Sequence, residues 1–477
     1  MNRYFTTTLL ALAFSLSLSA QYLISSEFLG QETKADLEAR FGLDLRNGIK
    51  KYKVTYMTTG TNGEPDTASG LIVVPTTRLE GKLALVAYQH GTTSGPDDVP
   101  SLEGSGLDEA RAYGGSGYFV CAADYLGLGD NDSFHPYVHA GTEASAGRDL
   151  MFAASEFIED EFGDIVFDFT FISGYSQGGH AAMALMQEIE ENWSIIYPLT
   201  AATPMSGPYS ISDVMFDRMV GDQAYLFVSY PIYAILGYQE VYGNIYDSLE
   251  QVFKPAYVSA IESFYNREVN LVELTTFVLT NLIVSNGAPI PKYMFRDAWL
   301  ADIIADEDHP LRVAMRENDT YNWTTQTPTR LLYCTADDQV PFRNTIVADS
   351  ILNENGSPDV ELMDMDPDAD HGECALPAIV ESIRFFDSFI ITSSSEDIAV
   401  TETQIAFPNP ADDKLNINFG MHGENYRYSM ISASGRTAME FNGSSVTTVD
   451  VSAMAPGLYI LRAENDNHAA IQKIIIR

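Results

Sequence analysis

Short apolar runs bounded by glycines alternate with helical stretches over most of this sequence, and this alternation limits the possible folds more than any other feature. The runs are LALVAYQHG, GYFVCAADYLG, DFTFISGYS, LTAATPMSG, TRLLYCTADD and VELMDMD. Strands that are apolar on both faces and separated by helices are typical of a parallel sheet covered by helices on both sides. In front of them, KYKVTYMTTG and ASGLIVVP form a predicted antiparallel hairpin. The sequence therefore predicts an α/β fold on a doubly wound, mostly parallel sheet.

Four segments depart from this alternation. Residues 1–20, with an arginine near the start, a short apolar stretch and a small residue at the end, are typical of a signal peptide. Within the α/β domain of residues 21–392, the stretch at about 208–325 is rich in Tyr, Phe, Leu and Ile and predicts a helical cap. Residues 393–405 lose periodicity and predict a linker. Residues 406–477 contain short alternating strands, which predict a small all-β sandwich.

The charge balance is strongly acidic. The 477 residues include 66 Asp and Glu against 27 Lys and Arg, for a net charge of −39. Such a surface repels phosphate backbones, so we expect no nucleic-acid partner. The apolar stretches are shorter than the roughly 18 residues of a membrane-spanning helix, so we also expect no transmembrane anchor.

The segment DFTFISGYSQGGHAA places Ser176 where a predicted strand ends and a predicted helix begins. Gly174, Gly178 and Gly179 remove side chains at the point where such a turn crowds its neighbours. A serine in this setting is typical of a nucleophile that lies above a helix N-terminus, where the helix favours an anion. We therefore expect Ser176 to be a nucleophile.

A nucleophilic serine requires a histidine base and a carboxylate that orients it. On a sheet of this type the partners follow in the order Ser, Asp or Glu, His. Among eight histidines, His371 alone lies in the loop after the last predicted strand of the sheet, and it is the predicted base. The segment CTADDQVP offers two acids after the preceding strand. We favour Asp337, because the turn follows it immediately, and keep Asp338 as the alternative.

An oxyanion that develops during attack needs at least two preorganised N–H donors. The backbone of Gln177, directly after the serine, is one predicted donor. The backbone of Thr92, in the HGTTSG loop after LALVAYQ, is the other. His90 precedes Ser176 in the chain, so we expect it to make structural hydrogen bonds in that loop.

With these residues in place, residues 45–392 resemble the α/β-hydrolase superfamily, and within it the secretory lipases and related exported esterases. The matching segments are VAYQHGTTSG, AADYLGLGDNDSFHPYVHAG, EASAGRDLMFAA and GYSQGGHAAM. The resemblance implies a secreted serine hydrolase that cleaves carboxylic esters of lipids or small molecules through an acyl-enzyme on Ser176, with His371 and Asp337. It also places Asp124 and Tyr125 beside the site, either to shape a pocket or to pack the loop.

The tail resembles the C-terminal sorting domain of the type IX secretion system, through FPNPADDKLNI, SASGR, PGLYIL and KIIIR. This resemblance implies that the type IX machinery is a partner. It also implies that the protein is exported across both membranes, to be secreted or held at the cell surface.

Two other functions stay open: a prolyl-type serine peptidase, and a non-catalytic cell-surface protein. We expect no cofactor and no metal. His135 and His139 have the spacing of a helical zinc pair, but Pro136 interrupts the helix that such a pair requires.

The three cysteines form at most one disulfide. Cys334 and Cys374 each lie three residues from a predicted site residue, Asp337 and His371 respectively. A bridge between them is therefore a hypothesis, provided that their Cα atoms approach within about 7 Å. Cys121, in a buried strand, would then remain unpaired.

Overall fold

The computed structural model describes residues 21–77, 82–163, 167–392, 406–418, 425–432, 437–464 and 469–477. The chain divides into two compact units, residues 1–387 and residues 388–477. The predicted signal peptide and the predicted linker of residues 393–405 lie outside the described residues.

A single nine-stranded sheet forms the centre of the first unit. Its strands are β1 (Leu23–Glu32), β2 (Ile49–Thr59), β3 (Pro65–Pro75), β4 (Ala84–Gln89), β5 (Phe119–Ala123), β6 (Phe169–Tyr175), β7 (Ala201–Met205), β8 (Thr329–Tyr333) and β9 (Val360–Asp364). The order across the sheet is β1-β2-β3-β5-β4-β6-β7-β8-β9. The strands from β5 to β9 in this order run parallel, whereas β1, β2 and β3 pair antiparallel. The predicted α/β fold is confirmed.

The central strands are buried on both faces, as their continuous apolar runs predict. Every residue of β4, β5 and β7 is buried, which is the condition for helices to cover both sides of a parallel sheet. Among the described residues, the α-helices that precede β7 are α1 (Lys34–Phe41), α2 (Leu107–Gly115), α3 (Ala140–Phe162) and α4 (Gln177–Glu188). The side chain of His139 caps α3 by accepting a hydrogen bond from the backbone N–H of Thr142.

A run of helices separates β7 from β8, in the stretch for which the sequence predicts a cap. They are α5 (Phe216–Val220), α6 (Ser229–Tyr242), α7 (Leu249–Val252), α8 (Pro255–Tyr265), α9 (Leu271–Asn286), α10 (Asp297–Ala305) and α11 (Pro310–Glu317). These helices bury an apolar cluster of their own, which also includes Tyr137 and Val138 from the loop after β5. The last two helices, α12 (Arg343–Glu354) and α13 (His371–Thr392), follow β8 and β9. Within the described residues, none of the helices has the length and apolar character needed to cross a membrane.

The second unit consists of short antiparallel strands. They are β10 (Ala406–Phe407), β11 (Lys414–Asn418), β12 (Asn425–Ser432), β13 (Thr437–Ser444), β14 (Val446–Asp450), β15 (Gly457–Glu464) and β16 (Ala469–Ile476). They form one sheet in the order β10-β11-β14 and another in the order β13-β12-β15-β16. Leu415 and Ile417 of the first sheet share a buried cluster with Tyr428 and Leu461 of the second. The predicted sandwich is confirmed.

The hypothesis of one disulfide is also confirmed. Cys334 and Cys374 are bonded, with Cα atoms 6.0 Å apart, and both are buried. Cys121 is unpaired and buried on β5, and burial raises the pKa of its thiol to about 12.

Thiol counting checks the pairing. The denatured, unreduced protein should show one free thiol per chain, and the reduced protein three. Because the bridge closes a loop of 40 residues, the Cys334→Ala, Cys374→Ala double variant should lose about 4 kcal/mol of unfolding free energy. Three free thiols before reduction would contradict the bridge.

The separate cores of the two units predict the result of removing the tail. The second unit buries an apolar cluster formed by residues from Ala406 onward, whereas α13 packs on the sheet of the first unit, with Phe386 stacked on Phe171 at 4.3 Å between ring centroids. A chain covering residues 21–395 should therefore still unfold cooperatively, with an unchanged thermal midpoint for the α/β unit. Calorimetry of the shortened and full chains measures this, and a non-cooperative shortened chain would contradict it.

Candidate active site

The predicted site residues follow four parallel strands at the same edge of the sheet. Thr92 follows β4, Ser176 follows β6, Asp337 follows β8 and His371 follows β9. The carboxyl ends of parallel strands meet at one edge, where open α/β sheets commonly bind their ligands.

Ser176 occupies a sharp turn between β6 and α4. Its φ of 62° and ψ of −125° lie in a region of backbone angles that residues other than glycine rarely adopt. A β-carbon at Gly174 would overlap the carbonyl oxygen of Gly178, and one at Gly178 would overlap that of Gln89. The backbone N–H of Ser176 donates to the carbonyl oxygen of Met205 over 3.0 Å, which ties the turn to β7. Glycines at both positions are therefore a steric requirement of this turn.

The structure brings Asp337 and His371 together. His371 Nδ1 lies 2.7 Å from Asp337 Oδ2, and both side chains are almost completely buried. The other carboxylate oxygen of Asp337 accepts the backbone N–H groups of Gln339 and Val340, at 3.0 and 2.8 Å. Since Nδ1 donates to a fixed carboxylate, Nε2 is the nitrogen left to exchange a proton.

Asp338, the alternative acid, is exposed. Its Oδ1 accepts the backbone N–H of His371 over 3.4 Å, so its contact is with the start of α13. The geometry therefore favours Asp337 as the partner of the imidazole.

Two further contacts hold the His371 loop in place. The hydroxyl of Tyr175, at the end of β6, donates to the carbonyl oxygen of His371 over 2.6 Å. The Cys334–Cys374 bridge joins the end of β8 to the first turn of α13. The acid loop and the base loop are thus linked covalently within three residues of each side chain.

Two cavities meet at Ser176. The larger is an open cavity of about 520 Å³, and its lining includes Thr92, Gln339 and His371. The smaller is a more enclosed cavity of about 50 Å³ beneath the helices that follow β7. Its lining is mostly apolar and includes Gln177, Tyr137, Ile211, Met215, Met219, Ile235 and Met315.

Ser176 lines both cavities; of the two predicted oxyanion donors, Thr92 lines the open cavity and Gln177 the enclosed one. The Thr92 hydroxyl is hydrogen-bonded to that of Tyr137 at 2.8 Å. The ring nitrogens of His90 lie 2.8 and 3.2 Å from the carbonyl oxygens of Gly91 and Asp124. This confirms the structural role predicted for His90.

A buried polar network behind Ser176 was not predicted from the sequence. The side-chain NH₂ group of Gln177 donates two hydrogen bonds, to Glu143 Oε1 and to His135 Nε2, at 2.8 Å each. Burial lowers the pKa of His135 to about 3, which keeps its ring neutral and able to accept. The one sequence feature that could have indicated this network is Glu143, an acidic residue among apolar and small residues near the start of α3.

His180 completes this network. Its Nδ1 donates to Glu143 Oε2 over 2.6 Å, and its Nε2 donates to the carbonyl oxygen of Asn318 over 2.8 Å. Burial lowers the pKa of His180, but the Glu143 carboxylate, the hydrogen bond to Asn318 and the charge of Asp319 together raise that pKa above its usual value. Both ring nitrogens of His180 are thus used in hydrogen bonds within the protein.

Asp124 and Tyr125 pack the loop after β5. The Asp124 carboxylate is fully buried and accepts the hydroxyls of Ser69 and Ser101, and burial raises its pKa. The Tyr125 hydroxyl donates to the carbonyl oxygen of His90 over 3.2 Å. Of the two roles left open, these contacts favour loop packing.

The side chains of His135 and His139 make hydrogen bonds within the protein. His135 Nδ1 lies 2.7 Å from the carbonyl oxygen of Leu126, while His139 caps α3. In the part of the chain that the structure describes, no three His, Cys, Asp or Glu side chains are grouped so as to hold a metal ion.

The chain is similar to solved structures of hydrolases. The rice cell wall degrading esterase LipA from Xanthomonas oryzae is 28% identical, with a TM-score of 0.65 over 78% of this chain and 97% of the esterase. A protein of Legionella pneumophila for which a hydrolase activity has been suggested is 25% identical, with a TM-score of 0.69 over 77% and 98% of the two chains. Lipase A from Candida antarctica shares the fold, at 14% identity and a TM-score of 0.58 over 78% of this chain and 82% of the lipase.

No curated protein matches the chain significantly. Residues 405–477 match the secretion system C-terminal sorting domain, in agreement with the resemblance of the tail. The chain is therefore a secreted or cell-surface protein that combines an α/β-hydrolase fold with a C-terminal sorting domain.

Proposed function

We propose that the protein is a carboxylic-ester hydrolase that works through an acyl-enzyme intermediate on Ser176. The observation that carries the proposal is the arrangement at one sheet edge. A serine on a strained strand-to-helix turn lines the same cavity as a histidine whose Nδ1 is bound to a buried aspartate. This is the set of parts that acyl transfer by a serine requires.

In the first half of the proposed reaction, Ser176 Oγ attacks the ester carbonyl while His371 Nε2 takes its proton. Asp337 holds the imidazole in the required tautomer and stabilises the imidazolium that forms. The backbone N–H groups of Gln177 and Thr92 would stabilise the oxyanion, aided by the N-terminal end of α4. His371 then gives its proton to the leaving alcohol, and the acyl group stays on Ser176.

In the second half, a water molecule replaces the alcohol. His371 removes a proton from this water, which attacks the acyl carbonyl, and then returns the proton to Ser176 Oγ as the carboxylic acid leaves. The same base and the same oxyanion donors act in both halves, so a single site suffices.

The enclosed cavity fits the acyl group of the substrate. It is lined mainly by apolar side chains and begins at Ser176 and Gln177. An acyl chain in it would displace water from apolar surface and from the vicinity of the oxyanion donors, which strengthens their electrostatic contribution.

The similarity to an esterase supports an ester over a peptide as substrate. A peptide would have to place a polar amide backbone in the enclosed cavity, where few side chains could accept or donate hydrogen bonds. The prolyl-type peptidase therefore remains only as an outcome of the test.

The decisive assay compares nitrophenyl esters of increasing acyl length with a proline-containing peptide. We expect ester hydrolysis by the wild type, no peptide cleavage, and a loss of at least ~10³ in kcat for Ser176→Ala with an unchanged thermal midpoint. The Ser176→Ala, His371→Ala double variant should lose little more than either single variant, since the two residues act as a unit. Full ester activity of Ser176→Ala, or peptide cleavage alone, would contradict the proposal.

A matched pair of substitutions tests the acid. Asp337→Asn should lower kcat by about 10⁴, because an amide at this position favours the wrong imidazole tautomer. Asp338→Asn removes the same charge one residue away, on an exposed side chain, and should cost less than about tenfold. Steady-state kinetics of both variants on one ester measures the difference. A reversal of the two effects would assign the acid to Asp338.

A further inference from the structure

The carboxylate of Asp337 is held by the residues that follow it in the acid loop, the segment directly after β8. Its Oδ1 accepts the backbone N–H groups of Gln339 and Val340 at 3.0 and 2.8 Å, while its Oδ2 lies 2.7 Å from His371 Nδ1. In the proposed reaction Asp337 must keep the His371 ring in one orientation. Whatever holds these two N–H groups in place therefore also determines how well the acid orients the base.

Tyr225 binds the other end of one of these peptide groups. Its hydroxyl, from the segment between α5 and α6, donates to the carbonyl oxygen of Gln339 over 2.8 Å. This carbonyl and the N–H of Val340 belong to one peptide group, which is planar and rigid. The oxygen of that group is thus bound by Tyr225 while its N–H is bound by the Asp337 carboxylate. A hydrogen bond to the oxygen also polarises the peptide group and strengthens its N–H as a donor.

Tyr230, near the start of α6, adds a second contact to Gln339. Its hydroxyl donates to the side-chain oxygen Oε1 of Gln339 over 2.9 Å. Burial raises the pKa of Tyr225 and of Tyr230, so both hydroxyls keep the protons that they donate. The backbone N–H of Tyr225 donates to the carbonyl oxygen of Pro289, just after α9, over 2.8 Å. The helical region that follows β7 therefore contacts the acid loop through two tyrosines.

We propose that Tyr225 is a positioning residue for the orienting acid, Asp337. It acts through the Gln339–Val340 peptide group, and Tyr230 supports it through the Gln339 side chain. Asp337 is fully oriented only while the helices that follow β7 lie over the site and supply these two hydroxyls. This inference rests on the proposed ester hydrolysis, and it gives those helices a part in the acid–base step in addition to enclosing a cavity.

Tyr225 also lines the enclosed cavity, so a direct contact with the acyl group has to be separated from an effect on the acid. The loss of a contact with the acyl group would change KM, by an amount that depends on acyl length. The acid serves both acylation and deacylation. An effect on the acid therefore lowers both rate constants by the same factor for every acyl length and leaves KM unchanged.

The test follows pre-steady-state and steady-state hydrolysis of nitrophenyl acetate, butyrate and hexanoate. Tyr225→Phe should lower the acylation and deacylation rate constants of all three esters by about fivefold, with KM within about twofold of the wild type, because one neutral hydrogen bond is lost. Tyr230→Phe should lower both rate constants by a smaller factor. The Tyr230→Phe, Gln339→Leu double variant should lose no more than the larger of the two single losses, because both changes remove the same bond.

A double-mutant cycle shows whether the Tyr225 hydroxyl acts through Asp337. In the Asp337→Ala background, Tyr225→Phe should have no further effect on either rate constant, because no carboxylate remains to be oriented. An equal loss in both backgrounds would mean that the hydroxyl contributes only to general packing and would overturn the proposal. If Tyr225→Phe does not fold, Tyr230→Phe takes its place in the cycle.

Tyr265→Phe is the matched control. The hydroxyl of Tyr265 donates to Glu240 Oε2 over 3.0 Å, so its bond joins α8 to α6 and does not reach the acid loop. The loss of this hydroxyl should leave every rate constant unchanged. Thermal melting checks that each variant is folded at the temperature of the assay.

The failure of this inference and the failure of the proposed function give different results. If the wild type cleaves no ester, ester hydrolysis itself is wrong. If the wild type cleaves the esters and Tyr225→Phe matches it, the hydroxyl does not position the acid. The same conclusion follows if Tyr225→Phe changes only KM, or if its effect varies with acyl length or falls on deacylation alone.

Discussion

The close approach of backbone to backbone at the turn after β6 determines where the rest of the site can lie. Gly174, Gly178 and Gln89 come so near one another that a β-carbon on either glycine would overlap a carbonyl oxygen. Only this contact lets α4 start directly behind Ser176 and keep it at the sheet edge. The loops that follow the parallel strands all lie at this edge of the sheet. The loops that carry Asp337 and His371 are therefore close together.

The buried network of Glu143, Gln177 and His180 supports this turn from behind. It contains a carboxyl group and an imidazole that are both almost fully buried, an arrangement that is costly unless every polar atom is paired. Here the ring nitrogens and the Gln177 amide are all engaged. The network therefore fixes the first residue of α4, whose backbone N–H is the proposed oxyanion donor, and joins α3 to the end of the helices that follow β7.

The sequence predicted those features that are coded locally. Continuous apolar runs predicted the central strands, and glycines around Ser176 predicted the turn, because both constraints act between near neighbours. The order of residues along the chain led to Asp337 and His371. By contrast β1, whose side chains are mostly exposed, carries no apolar pattern. The partnership of Glu143 with His180 and the two cavities depend on side chains brought together from distant segments, and no local pattern encodes them.

The disulfide connects the geometry of the site with the place where the protein works. Cys334 and Cys374 join the loops that carry Asp337 and His371, so the bridge restricts the motion of one against the other. Such a bond persists in oxidising compartments and is rare in the reducing cytosol. The C-terminal sorting domain indicates that this chain is secreted or held at the cell surface. We therefore expect the disulfide between the acid loop and the base loop to form after the protein has left the cytosol.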